Sequence, residues 1–203
     1  MKANKGRQII AGLLEEPLSE LGFSHAGALS FSRPSIDGLQ LISFSCRHDK
    51  ERGICFSFGA GVRFQVVEDL LGTDPEQRLF TTIGKPLSVL KNTLEYPEWC
   101  FTENSDLSAI RQEVMRDIES YALPFLDQFS TLVSVQSQLK SADPRQWFVL
   151  DSEQRTAVLA AITHLNGDSA NALLLLDEAL GEKATAPAKK RVQLERLRAR
   201  LLS

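Results

Sequence analysis

Residues Leu39 to Arg63 read LQLISFSCRHDKERGICFSFGAGVR, and this stretch decides the fold. Within Gln40–Cys46, the residues Ile42, Phe44 and Cys46 fall on one face while Ser43 and Ser45 fall on the other, because side chains alternate along an extended chain. Within Ile54–Phe58, the residues Ile54, Phe56 and Phe58 share a face and Cys55 and Ser57 point away. Between the two runs lies Arg47-His48-Asp49-Lys50-Glu51-Arg52-Gly53, too polar to bury, with Gly53 able to take a positive φ as the loop closes. The pattern predicts an antiparallel hairpin with one dry and one wet face. The dry face requires a covering layer, and a lone hairpin requires further strands.

On the N-terminal side, Ile9, Ile10, Leu13, Leu14, Leu18 and Leu21 recur at helical spacing, so residues 4–21 are expected to be helical, with Pro17 as a kink or break and Gly22 as a left-handed cap. Leu29 and Phe31 alternate with Ser30 and Ser32, which predicts a strand near 26–32. Residues 33–38 then form a turn into the hairpin. On the C-terminal side a short helix is expected at Val66–Leu71, a loop at 72–75, and strands at 78–83 and at Trp99–Thr102. The long connection between those strands, punctuated by Pro86 and Pro97, is the kind of segment that often carries a binding surface.

Asn104-Ser105-Asp106 offers caps to an amphipathic helix carrying Leu107, Ile110, Val114, Ile118 and Tyr121. Leu123-Pro124 interrupts it, and Pro124 opens a new helix with Phe125, Phe129, Leu132, Val133 and Gln136 inward. Ser141-Ala142-Asp143-Pro144 marks a boundary, after which the composition shifts to Ala, Leu and charge. Helices are expected at 152–165, at 169–180 ending at Gly181, and from Pro187 onward, with Val192, Leu194, Leu197, Leu201 and Leu202 on the last. The fold class is therefore α+β: a small antiparallel sheet packed against helices over 1–142, followed by an all-α tail over 143–203.

The 203 residues suffice for a substantial core, and 43% hydrophobic with 24% charged content is ordinary for a globular chain. A net charge of −3 argues against nucleic acid as the main partner. From Gly181 onward, seven Lys or Arg face two Glu, a local charge of +5 that leaves −8 on the rest. This reads first as a solvated helix face that neutralises an acidic body, and second as a surface for an acidic partner or RNA, without interleaved aromatics. The apolar run Ile9–Leu14 is too short to span a bilayer and lacks a cleavage site, so neither a membrane segment nor a signal peptide is expected. Three cysteines without a CxxC pair suggest a reducing compartment, hence a cytoplasmic protein.

No catalytic signature is present. Cys46, His48 and Cys55 do not make a convincing ligand set, because the two cysteines fall on opposite faces and no fourth ligand is evident. His48-Asp49 supplies a base with a carboxylate but no nucleophile, so no catalytic, cofactor or metal residues are assigned. His25 and His164 read as packing or surface positions, and Trp99, Trp147 and Phe148 as core or inter-domain cover.

Leu21-Gly22-Phe23, Gly27, Leu29, Phe31, the strand pair, Trp99 and Ala122-Leu123-Pro124-Phe125-Leu126 together resemble the bacterial domain-of-unknown-function family forty-three hundred and four over about residues 7–140. The resemblance implies a leading helix, a small antiparallel sheet and an accessory or toxin-immunity-like role, with no catalytic residues to transfer. In the tail, Gly167-Asp168, Ala172, Leu176 and Ala179-Leu180 resemble a tetratricopeptide hairpin, with Thr156 and Thr163 where that repeat prefers Trp and Tyr. A single such hairpin must dock on the sheet domain, on a partner, or on itself in a dimer.

These readings predict a non-enzymatic, cytoplasmic protein-binding module, an immunity factor that neutralises a basic toxin domain, with a homodimer as a further option. The expected partner-binding residues are Asp49, Glu51, Glu95, Glu98, Trp99, Glu103 and Asp106. The alternatives are an adaptor that uses the helical tail and an enzyme that uses His48 and Asp49.

Overall fold

The structure, a computed structural model, describes residues 3–27, 29–72, 81–141, 150, 152–182 and 188–202. Its centre is the hairpin of β3 (Leu39–Asp49) and β4 (Gly53–Arg63). With β1 (Ser24–Gly27), β2 (Ser30–Pro34) and β5 (Ile83–Pro86) these form a sheet in the order β1-β2-β3-β4-β5, and β6 (Trp99–Phe101) also pairs with β4. The register sets Phe31 opposite Ile42, and Ile54, Cys55 and Phe56 opposite Phe101, Cys100 and Trp99. One face therefore carries a continuous aromatic row. Phe31 lies edge-on to Phe44 at 6.2 Å, Phe44 contacts Phe58 at 5.7 Å, Phe58 stacks on Trp99 at 6.0 Å, and Phe56 meets Phe101 at 6.0 Å. Ile42, Phe44, Phe56 and Phe58 are all buried, as the alternation predicts.

The cover comes from α1 (Ala3–Glu20), which packs on β3 and on α4 (Leu107–Asp117) through Ile10, Leu14 and Leu18. Gly6 lets α1 approach closely, since a Cβ there would sit 2.9 Å from Ile54. Pro17 does not break α1: the buried residues Leu14 and Leu18 on either side hold the helix through it. Gly22 takes φ 82°, as expected of the cap.

Several expectations are corrected. The single strand near 26–32 is two short strands, β1 and β2, joined by a reversal next to Gly27 at φ 106°. The 47–53 loop is mostly strand, with only Lys50–Arg52 turning, because polar side chains on strand ends face water at no cost. The second face of the hairpin is not wet throughout, since Cys55 and Ser57 are buried. Leu123-Pro124 does not interrupt the preceding helix, which runs from α4 through a π-helical turn Ile118–Ala122 into α5 (Leu123–Gln128), and the helix expected from Pro124 through Gln136 is divided between α5 and α6 (Leu132–Leu139). Thr131 caps α6 by accepting from the Ser134 N–H at 3.2 Å, which rotates Val133 out to 67% exposure and brings Val135 and Leu139 inside. Of the strand expected at 78–83, residues 78–80 lie outside the described residues, as do 73–75, the 142–144 boundary, Trp147, Phe148 and Pro187.

The chain forms two compact units. The sheet unit comprises residues 1–35, 39–62 and 84–128, and the helical unit comprises 36–38, 63–83 and 129–203. This differs from a division at 142: α2 (Gln65–Leu71) and α6 belong with the tail. Within the helical unit, α7 (Ser152–Leu165) and α8 (Ser169–Glu182) form a hairpin about Gly167 at φ 89°, and α2, α6 and α9 (Ala188–Leu201) pack on α7. The hairpin's open face is thus covered by helices of its own unit. On α9, Leu194, Leu197 and Leu201 are buried, whereas Val192 and, just past the helix end, Leu202 are exposed. Three arginines of α9 are engaged within the unit. Arg191 pairs with Glu195, Arg198 Nε lies 2.6 Å from Asp177, and Arg200 donates to the carbonyls of Asp69 and Leu70. No described helix is long and apolar enough to cross a membrane.

Candidate functional site

Side-chain alternation that sends the aromatics to one face sends Arg47, Asp49, Cys55 and Cys100 to the other. Glu98, two residues before Cys100, falls on that same side. Arg47 reaches Glu98 at 2.8 Å and Asp49 at 3.0 Å, and Arg52 reaches Glu98 at 2.8 Å and Asp49 at 3.5 Å. The backbone N–H groups of Arg52 and Glu51 also donate to Asp49, each at 3.0 Å. These two N–H groups, Arg52 first, and then the Arg47 side chain hold the Asp49 carboxyl well below the usual carboxylate range. Its hydrogen bond to Asp49, with Glu98 adding to it, raises the Arg47 guanidinium correspondingly.

Next to this network the connection between β5 and β6, which includes the short helix α3 (Leu87–Leu90), leaves two adjoining cavities. One, of about 430 Å³, is lined by Arg52, Lys91, Thr93, Glu95, Tyr96, Pro97 and Glu98. The other, of about 230 Å³, shares Lys91, Pro97 and Glu98 and adds Trp99, Glu113, Arg116 and Asp117. Lys91 is fixed by both oxygens of Asp117, at 2.9 and 3.1 Å, and lies 5.4 Å from the Tyr121 ring centroid. On the rim, Leu94 is fully exposed and Tyr96 is 58% exposed. Apolar side chains beside paired charges suit a protein surface better than a small neutral ligand.

The structure gathers some of the expected residues and disperses others. Asp49, Glu98 and Glu95 lie around the first cavity or its ion-pair network, with Glu51 exposed in the adjoining turn. Trp99 lines the second cavity while stacking into the aromatic row, which accounts for it as core. Glu103 is exposed and 3.7 Å from Lys5, a weak surface pair, and Asp106 is the cap of α4, accepting from Ser108 and Ala109 N–H at 2.9 and 3.2 Å. The acidic patch is thus partly neutralised, since Asp49 and Glu98 are tied to arginines. His48 is exposed, and the oxygens of Asp49 are taken by Arg47, Arg52 and the turn. His25 rests edge-on against Phe31, and His164 bonds Ser169, both ordinary structural roles.

Cys55 and Cys100 are disulfide-bonded across β4 and β6, with their Cα atoms 4.0 Å apart, and Cys46 is free. Cysteine number alone therefore does not select a reducing compartment. The Cys100 sulfur lies 3.6 Å from Glu98 Oε2. Two features escaped the sequence reading. The spacing Glu98-x-Cys100 was available as a same-face signal, but its partner Cys55 is 45 positions away in sequence. Arg33, placed in a turn by the sequence, is a hub on β2. It bonds Gln40 at 2.5 Å, the Leu21 carbonyl at 3.1 Å and Asp127 at 2.7 Å, and covers the Phe23 ring at 4.7 Å.

Comparison with protein-family models, with curated proteins and with solved structures found no match.

Proposed function

We propose that the chain is a non-enzymatic protein-binding module acting as an immunity factor. Its docking surface is the β5–β6 connection with the adjoining β3–β4 turn, and its partner is a basic toxin domain. The observation that carries this reading is the exposure of Leu94 and Tyr96 on a connection whose base is pinned by Lys91–Asp117 and Arg52–Glu98. Exposed apolar anchors on a fixed frame lose little freedom on binding, which favours tight association. Glu51 and Glu95, exposed beside them, supply the charge that steers a basic partner. The sequence resemblance to the immunity-like family points the same way, and the cytoplasm is the compartment in which such a factor meets an incoming or home-made toxin.

Co-expression with the product of the adjacent gene tests this. A stoichiometric complex should form, and Leu94→Asp combined with Tyr96→Ala should weaken it at least tenfold while far-ultraviolet circular dichroism stays unchanged. If the neighbour is harmless and forms no complex, the immunity reading fails.

A further inference from the structure

The Cys55–Cys100 bond does more than staple two strands. Cys55 Sγ, Cys100 Sγ and a Glu98 carboxylate oxygen all lie within 4.8 Å of one another. We propose that, once the disulfide is reduced, Cys55, Cys100 and Glu98 form a three-ligand site for a zinc-class divalent ion, so that metal and disulfide are alternative occupants of one position in the sheet.

Geometry, donor chemistry and charge converge. The register places the two cysteines directly opposite each other, and strand alternation puts Glu98 on their side. Ligands at zinc bond lengths of about 2.0–2.3 Å sit roughly 3.5–3.8 Å apart, so the set needs only side-chain adjustment to close on an ion. Two sulfur donors select zinc-like metals over magnesium or calcium. A divalent ion with two thiolates and one carboxylate carries a net charge of about −1, and Arg47 and Arg52, both 2.8 Å from Glu98, stand ready to offset it. Both arginines hold Glu98 Oε2, the oxygen that lies 3.6 Å from the Cys100 sulfur, and so fix the carboxylate beside the two cysteines, as hydrogen-bonding partners of metal-bound carboxylates commonly do.

The step balances as a two-electron exchange. A cellular dithiol gives two electrons and two protons, its sulfurs join in a disulfide, the Cys55–Cys100 bond breaks, and two thiols result. The ion then displaces both thiol protons to solvent, and water fills the fourth position. The inference stands on the geometry of these three residues and does not depend on the binding role proposed above.

The full-length chain is reduced with a phosphine, freed of reductant without air, and titrated with cobalt(II) and then with zinc(II). One cobalt per chain should bind, giving the thiolate charge-transfer band and the visible bands of tetrahedral cobalt, and zinc should displace it. The oxidised chain should bind none. Glu98→Gln, a substitution on the rim of a cavity, should lower cobalt affinity at least tenfold, Cys100→Ser should abolish the charge-transfer band, and Cys46→Ser should change nothing. The proposal is overturned if the reduced wild type binds no cobalt or loses its circular dichroism on reduction. It is equally overturned if the oxidised chain binds as well, if Glu98→Gln binds like wild type, or if Cys46→Ser removes the signal.

Discussion

Asp49 shows how much a single side chain does at the hairpin's end. It accepts two backbone N–H bonds that close the turn and two arginines that link the turn to Glu98. Gly53 completes that turn at φ 86°, and its position is doubly constrained, because a Cβ there would also strike the Phe101 carbonyl oxygen on β6. Since the Asp49 carboxyl is held below its unfolded value of about 3.9, its contribution to stability is fully present above that pH. It is lost as the pH falls through the folded value. The urea midpoint of the wild type should therefore decline more steeply between about pH 5 and pH 2 than that of Asp49→Asn, and the two curves should converge at the acid end. Other carboxylates contribute to both curves alike, among them Asp168, held down by Asn171. Parallel curves would show that the turn does not draw on the ionised form.

Among the elements, those whose local signals and packing agreed were legible. The Asp106 cap followed by Leu107, Ile110 and Val114 named α4, and α7 runs over the very span that its Ala-rich apolar repeat marked. Where a residue's neighbours come from afar, local pattern misled. Val133 fits a helical stripe drawn from Phe125, but Thr131 restarts the helix and turns it outward. Arg33 looks like turn chemistry until Leu21, Gln40 and Asp127 converge on it. The candidate site was half legible for the same reason: Glu95 and Glu98 share a connection with Tyr96, but only the register of β4 with β6 shows that Glu98 meets Cys55 and the arginines. The cap of α4 can be weighed directly. Asp106→Ala should cost about 1 kcal/mol, whereas Asp106→Gly should cost only a few tenths. A loss of that size lowers the melting temperature by about 2–4 °C in a chain of this length. Thermal melts of the two variants separate them, and equal losses would mean that the side-chain bonds to Ser108 and Ala109 are not what starts the helix.

At the scale of the whole molecule, the two units are interleaved in sequence, and this changes what a truncation does. A boundary near 142 suggests that residues 150–203 can be removed to leave a folded sheet domain. The helical unit, however, draws α2 and α6 from the N-terminal two-thirds of the chain, and both pack on α7. Val67 on α2 and Val135 and Leu139 on α6 are fully or almost fully buried. Removing α7, α8 and α9 would bare them, and burial of each is worth about 1.5–3 kcal/mol. The Gln136 side chain would also lose its partners, since it donates to Thr163 at 2.9 Å and accepts from Asn166 at 3.0 Å, as would the Leu139 and Ser141 carbonyls that accept from Arg155. A chain ending at residue 149 should therefore bind a hydrophobic dye, precipitate at moderate concentration and lose the helicity of α2 and α6 as well as that of the deleted helices. Circular dichroism compared with the loss expected from the deleted residues alone measures this. A soluble, cooperatively melting fragment with no excess loss of helicity would mean that α2 and α6 hold their places without the tail. The tail could then be treated as an appendage; otherwise it is part of the scaffold that the N-terminal two-thirds of the chain requires.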